Sequence, residues 1–135
     1  IWCMYGSPLM IGCDIRKMSD EAKAILTNKE AIAINQDGAY NQVYRLTLDR
    51  GPEEALVCAR LLENGDFAVG VFNLMDSEYR FVFGFDEMGI TSHCNKEIVM
   101  TEVWSGEIEK LTNRTVNTVV EGHGCKLYRV KLTEK

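Results

Sequence analysis

The sequence lacks an excess of positive charge. Fifteen Lys and Arg residues stand against 20 Asp and Glu residues, which gives a formal net charge of -5 at pH 7. A chain with that balance repels phosphate groups, so the electrostatic footprint of a nucleic-acid-binding protein is missing. We therefore expect no nucleic-acid partner.

Long apolar runs are also missing. No stretch reaches the roughly 18 apolar residues that a membrane-spanning helix needs, so we expect no membrane partner. The opening run IWCMY at residues 1–5 has no initiator Met, and it lacks the basic region and the cleavage site of a signal peptide. The sequence reads as though it begins inside an element, and we expect the native N-terminus to lie upstream.

The cysteines show no metal-binding or disulfide spacing. There are five, at Cys3, Cys13, Cys58, Cys94 and Cys125. The odd count and scattered spacing favour reduced thiols and, in the absence of a signal peptide, a cytoplasmic location, although one bridge stays compatible with the sequence. The pairs His93-Cys94 and His123-x-Cys125 lack the CxxC spacing of a structural zinc site. The glycines form no phosphate-cradling pattern, so we expect neither metal nor cofactor.

The first 40 residues are of an α/β type. The apolar run PLMIG at residues 8–12 is short and continuous, which is typical of a parallel strand buried on both faces. A helix is predicted to begin after Ser19, which can cap it, and a second helix after Asn28. Asn35 is suited to end that second helix in the left-handed conformation.

From about residue 41 the apolar pattern has a period of two. Strands are predicted at 55–62 and 67–74, joined by a hairpin at Asn64-Gly65 in which both turn residues need a positive φ. Further strands are predicted at 97–104, 114–121 and 126–132. Tyr79, Phe81, Phe83 and Phe85 alternate with other residues and should cover the inner face of a sandwich. Six to eight short strands with regular turns indicate an antiparallel β-sandwich.

One parallel strand with its helices cannot stand as a fold. It needs strands on both sides and helices over both faces, which the rest of the sequence does not encode. The missing strands and helices come either from the rest of a barrel outside this sequence or from a second chain. The sequence therefore predicts two units, residues 1–40 as part of a larger α/β domain and residues 41–135 as a β-domain.

Several segments resemble the C-terminal end of an α-galactosidase of glycoside hydrolase family 27, the melibiase group. They are SPLMIGCDIR at 7–16, ILTNKEAIAINQD at 25–37, FAVGVFN at 67–73, EVWSG at 102–106 and HGCKLY at 123–128. The resemblance implies a mainly β chain, with a Greek-key β-sandwich preceded by the last β/α unit of a truncated (β/α)₈ barrel.

The resemblance also implies retaining hydrolysis of terminal α-galactosides by two Asp carboxylates. In the family these come from the fourth and sixth barrel strands, so no catalytic residue is assigned to this chain. We expect it to be inactive alone and to meet substrate only through the missing part of the barrel. Cys13, Asp14 and Arg16 follow the predicted strand at the barrel mouth and are weak candidates for substrate contact. The favoured interpretation of Asp14 is that it either pairs with Arg16 or caps nearby backbone groups.

Two other functions stay open. A carbohydrate-binding β-module would stack sugars on an exposed aromatic face, with Trp2, Trp104 or the Tyr/Phe alternation as the platform. A purely structural module would contribute an interface, and its barrel-facing apolar surface would favour self-association.

Overall fold

The computed structural model describes residues 1–46, 48, 51–91, 94–111 and 113–134. Two helices come first, α1 (Asp20–Leu26) and α2 (Lys29–Asn35), and a 3₁₀ turn, Ile15–Lys17, precedes them. The strands that follow are β1 (Tyr44–Leu46), β2 (Ala55–Leu61), β3 (Phe67–Asn73), β4 (Tyr79–Gly84), β5 (Lys96–Glu102), β6 (Ile108–Leu111), β7 (Thr115–Val120) and β8 (Cys125–Glu134). A second 3₁₀ turn, Asp86–Met88, follows β4.

The strands form two antiparallel sheets packed face to face. The larger sheet has the order β1-β2-β3-β8-β5-β6, and the smaller one pairs β4 with β7. The chain crosses to the small sheet after β3 and again after β6, as a Greek-key sandwich requires. The predicted fold class, a mainly β antiparallel sandwich, is confirmed. β6 was not predicted.

The aromatic alternation forms the core between the sheets. Phe81, Phe83 and Phe85 are buried, and the rings of Tyr79 and Phe81 meet edge to face with centroids 5.0 Å apart. Opposite them lie the inward side chains of the large sheet, among them Val69. The predicted inner aromatic face is therefore confirmed, and these rings cannot form an exposed sugar-stacking platform.

The predicted hairpin joins β2 to β3, but its turn differs from the expected type. Gly65 has a φ of +85°, whereas Asn64 is not among the residues with positive φ. The backbone amide of Gly65 donates to the carbonyl of Leu62, and the backbone amide of Leu62 donates to the carbonyl of Asp66. The loop therefore has three residues, 63–65, one more than a two-residue hairpin. Only its last residue, Gly65, is left-handed.

Residues 1–37 pack against the outer face of the large sheet. Met4, Ala31 and Ile34 form a second buried cluster with sheet residues such as Phe72 and Leu127. The predicted caps are confirmed, since the Ser19 side chain accepts from the amide of Ala22 and Asn28 accepts from Ala31.

Two local predictions in this region are wrong. Residues 8–12 form no strand, because a strand exists only where neighbouring backbones accept and donate its hydrogen bonds. Asn35 does not take the left-handed conformation, and Gln36 ends α2 with a φ of -94°. The side-chain amide of Asn35 instead donates to the carbonyls of Trp2 and Ser7.

The predicted strand 97–104 is also shorter than expected. β5 ends at Glu102, whose carboxylate accepts hydrogen bonds from the amides of Trp104 and Ser105 in the following turn. Trp104 is therefore partly exposed rather than part of the core.

Candidate functional site

Cys13, Asp14 and Arg16 lie together on an exposed turn after residues 8–12. Asp14 caps the 3₁₀ turn, and its Oδ1 accepts from the Arg16 amide and from Arg16 Nε, both at 3.0 Å. Its Oδ2 accepts from Arg16 Nη2 at 3.1 Å. Both carboxylate oxygens of Asp14 are therefore engaged by one guanidinium, the bidentate geometry that Arg and a carboxylate favour.

This pairing determines what Asp14 can do chemically. The hydrogen bonds from the Arg16 side chain and backbone hold the pKa of the Asp14 carboxyl below its usual range. A carboxylate that stays ionised can accept hydrogen bonds from a hydroxyl group, but it is a poor general acid. The favoured interpretation offered pairing with Arg16 or backbone capping, and Asp14 does both. Contact with substrate stays a prediction for all three residues.

An apolar groove of ≈ 700 Å³ opens next to residues 9–11, which precede this turn. Its walls come from the first 11 residues, from both helices and from the ends of β3 and β8. Residues that line it include Trp2, Met10, Ile25, Leu26, Trp104 and Leu127. The groove thus lies where residues 1–37 meet the sandwich.

The groove is bordered by an unusual amount of exposed apolar side chain. Met10 is 80% exposed, Ile15 is 71% exposed, and Trp2, Ile11 and Ile25 are each more than half exposed. Clusters of exposed apolar side chains are typical of interaction surfaces, because their contact with water costs free energy.

Polar side chains fix residues 1–37 to the sheet beneath. Arg60 on β2 donates from Nη1 to the carbonyl of Met4 at 2.9 Å and from Nη2 to the carbonyl of Ile34. Within the segment itself, the Asn35 side-chain amide donates to the carbonyls of Trp2 and Ser7 at 3.2 and 2.8 Å. Residues 1–37 are therefore held by directed hydrogen bonds as well as by apolar contact.

The His and Cys pairs form no metal site in the described part of the chain. His123 Nε2 lies 2.9 Å from Asp76 Oδ1, in a contact between two loops. Cys125 is a free thiol, and His93 lies outside the described residues. The described residues contain no group of three or more ligating side chains that could hold a metal ion. Within the same residues, no helix has the length and apolar character needed to cross a bilayer.

Sequence reasoning missed Arg60 and most of the groove. A signal for Arg60 was present: it is the one charged residue in the otherwise apolar run ALVCARL of β2. A strand that is apolar on both faces is buried on both faces, and a lone charge within it must find partners. The groove had no such signal, because its walls come from distant parts of the sequence.

The fold defines an antiparallel β-sandwich domain with an added N-terminal segment. The chain belongs to the family described as the α-galactosidase C-terminal β-sandwich domain, which matches residues 53–130. Residues 1–37 match a second family, described as α-galactosidase A. The chain is 36% identical to the α-galactosidase A of Cellvibrio japonicus over 96% of its own length, and it spans 33% of that protein. It thus spans about a third of the length of the curated relative.

Solved structures agree on the fold. The α-galactosidase I of Mortierella vinacea superposes on the whole chain with a TM-score of 0.82 at 23% identity, and the chain covers 35% of it. A β-L-arabinopyranosidase of Geobacillus stearothermophilus superposes on 96% of the chain with a TM-score of 0.81 at 19% identity, and 28% of that protein is covered. At these identities the likeness shows the fold alone.

Proposed function

We propose that this chain serves as the C-terminal part of a retaining glycoside hydrolase that acts on terminal α-galactosides. One observation carries the proposal. The two α-galactosidase family matches follow each other along a single chain, at residues 1–37 and 53–130, and span about a third of a relative with that activity. In this role the β-sandwich supports the last unit of a catalytic barrel, with the unit boundary near residue 40.

The apolar groove supports this role. The exposed side chains at Leu9, Met10 and Ile11 belong to the segment whose sequence suits a doubly buried strand. Neighbouring barrel strands would cover these exposed side chains and would supply backbone hydrogen-bond partners for residues 8–12. The catalytic carboxylates then come from the rest of the barrel.

The two turn residues have a supporting role in this proposal. Asp14 and Arg16 shape the loop after the last barrel strand through their mutual hydrogen bonds. The fold by itself does not fix which sugar is bound, since the same fold occurs in a β-L-arabinopyranosidase.

A graft tests the proposal. The C-terminal third of the Cellvibrio japonicus α-galactosidase A is replaced by this chain, and hydrolysis of an aryl α-galactoside is measured. We expect turnover by the chimera, and none by this chain alone or by the Cellvibrio protein without its C-terminal third. Turnover by the pure chain alone, or a folded chimera without turnover, would contradict the proposal. An upstream reading frame that encodes two Asp residues at the ends of predicted strands would support the proposal independently.

The open groove also leads us to propose that the isolated chain self-associates. Burying exposed apolar surface is favourable by roughly 25 cal/mol for each Å² removed from water. We expect light scattering to give a mass above the 15.3 kDa of one chain at high protein concentration. A monomer throughout would refute the self-association and leave the enzymatic role untouched.

A further inference from the structure

Arg60 is a buried cation on the face of the large sheet that residues 1–37 cover. Its side chain is almost fully enclosed, with 2% of the residue exposed. Two of its nitrogens donate to backbone carbonyls, those of Met4 and Ile34, which lie 30 residues apart in the chain. One planar guanidinium therefore joins the sandwich to two separate parts of the N-terminal segment.

Ile34 gives the cation a favourable electrostatic setting. It lies in the last turn of α2, where helix carbonyls lack intrahelical donors and carry partial negative charge. None of the described ion pairs involves Arg60. Its acceptors among the described residues are these two carbonyls. Loss of the guanidinium would leave them buried without a donor.

Asn35 extends the same connection. Its side-chain amide donates to the carbonyls of Trp2 and Ser7, and Ser7 is the residue directly before the segment 8–12. Arg60 and Asn35 thus fix the backbone at residues 2, 4, 7 and 34 together. We call this set of four hydrogen bonds the latch.

The latch lies at one end of residues 8–12, and Cys13, Asp14 and Arg16 lie at the other. Five extended residues span about 17 Å, so a shift at the latched end moves the far end with it once the segment is held as a strand. A residue on the sandwich therefore has a direct structural route to a loop at the proposed barrel mouth.

We propose that Arg60 is a positioning residue, which sets the placement of the last barrel strand and its loop from the sandwich side. The inference rests on the proposed function for its catalytic consequence. The latch itself does not depend on that function and can be tested on the chain alone.

Hydrogen exchange tests the latch in the chain as it stands. Arg60→Met removes all donors while keeping an apolar stem, and Arg80→Met is the matched control, because Arg80 is an exposed strand residue bonded to Asn117 on the small sheet. We expect the α2 amides to exchange at least tenfold faster in Arg60→Met than in the original chain. In the Arg80→Met control their exchange rates should stay within twofold of the original chain. If Arg60→Met fails to fold, Arg60→Lys replaces it; Lys lacks the planar fork and should give an intermediate increase. Unchanged α2 exchange in the folded variant would overturn the latch.

Kinetics of the Cellvibrio chimera test the positioning role. Active sites are counted with a covalent mechanism-based inhibitor, so that loss of folded protein does not count as loss of rate. We expect kcat per site to fall at least fivefold in Arg60→Met, partial recovery in Arg60→Lys, and little change in KM. An unchanged kcat per site would overturn positioning. An inactive original chimera would instead count against the proposed function, while the exchange result would still decide the latch.

Discussion

Gly70 of β3 lies directly beneath Met4. A β-carbon at Gly70 would stand 3.1 Å from Cγ of Met4 and 2.7 Å from the ring of Phe72. The absence of a side chain at this one sheet position lets the N-terminal segment reach the sheet, and Met4 is consequently buried there. This close approach is the apolar counterpart of the hydrogen bonds made by Arg60.

Gly70→Ala should therefore destabilise the chain. The added methyl group must displace the Phe72 ring and Met4, and overpacking of this kind costs about 1–3 kcal/mol. Gly12→Ala is the control, because a β-carbon there would meet nothing within 4 Å. Urea unfolding followed by tryptophan fluorescence measures both, and equal midpoints for the two variants would refute the close contact.

Asn73→Ala should weaken the connection between the two sheets. The fully buried Asn73 amide donates to the carbonyls of Ser77, Val120 and Glu121, and its oxygen accepts from the amide of Met75. Removing these partners leaves buried polar groups unpaired, at a cost of about 1–3 kcal/mol.

The control for Asn73 is Asn117→Ala on the exposed side of β7, where we expect a change within about 0.5 kcal/mol. Chemical denaturation gives both values. A loss at Asn73 no larger than the loss at Asn117 would contradict the assigned role.

Arg16→Gln should raise the pKa of the Asp14 carboxyl toward its ordinary value. In the original chain the Arg16 hydrogen bonds depress that pKa. The ionised Asp14–Arg16 pair is therefore fully formed above the ordinary Asp pKa, and it is lost as the pH falls through the depressed pKa. A carboxyl NMR titration measures the shift directly. Identical titration curves in the two proteins would show that Arg16 does not hold Asp14.

The thiols should react in an order set by burial. Cys13 is exposed, whereas Cys58 is 7% exposed, and burial raises the pKa of the Cys58 thiol and reduces its thiolate fraction. We expect iodoacetamide at pH 8 to modify Cys13 at least tenfold faster than Cys58, as read by peptide mass spectrometry. Comparable rates would mean that the covering segment does not stay in place over Cys58.

Much of the sandwich followed from the sequence by itself. The period-two alternation at Tyr79, Phe81 and Phe83 determined both the strand and its buried face, because neighbouring side chains in a strand point to opposite sides. The Asn64-Gly65 pair located the hairpin, although not its turn type. The two helices of the first 37 residues, with their caps at Ser19 and Asn28, were equally readable, since capping is a local interaction.

Only the tertiary structure decided how the two parts meet. Whether residues 8–12 form a strand depends on hydrogen-bond partners elsewhere. The sequence indicated that such partners are needed, but it could not show whether the strand forms. Arg60 binds Met4, 56 positions away, and Asn35 binds Ser7, 28 positions away. The groove is lined by residues as far apart in the chain as Trp2 and Leu127. Such contacts follow from how separate elements pack, and no local pattern encodes that packing.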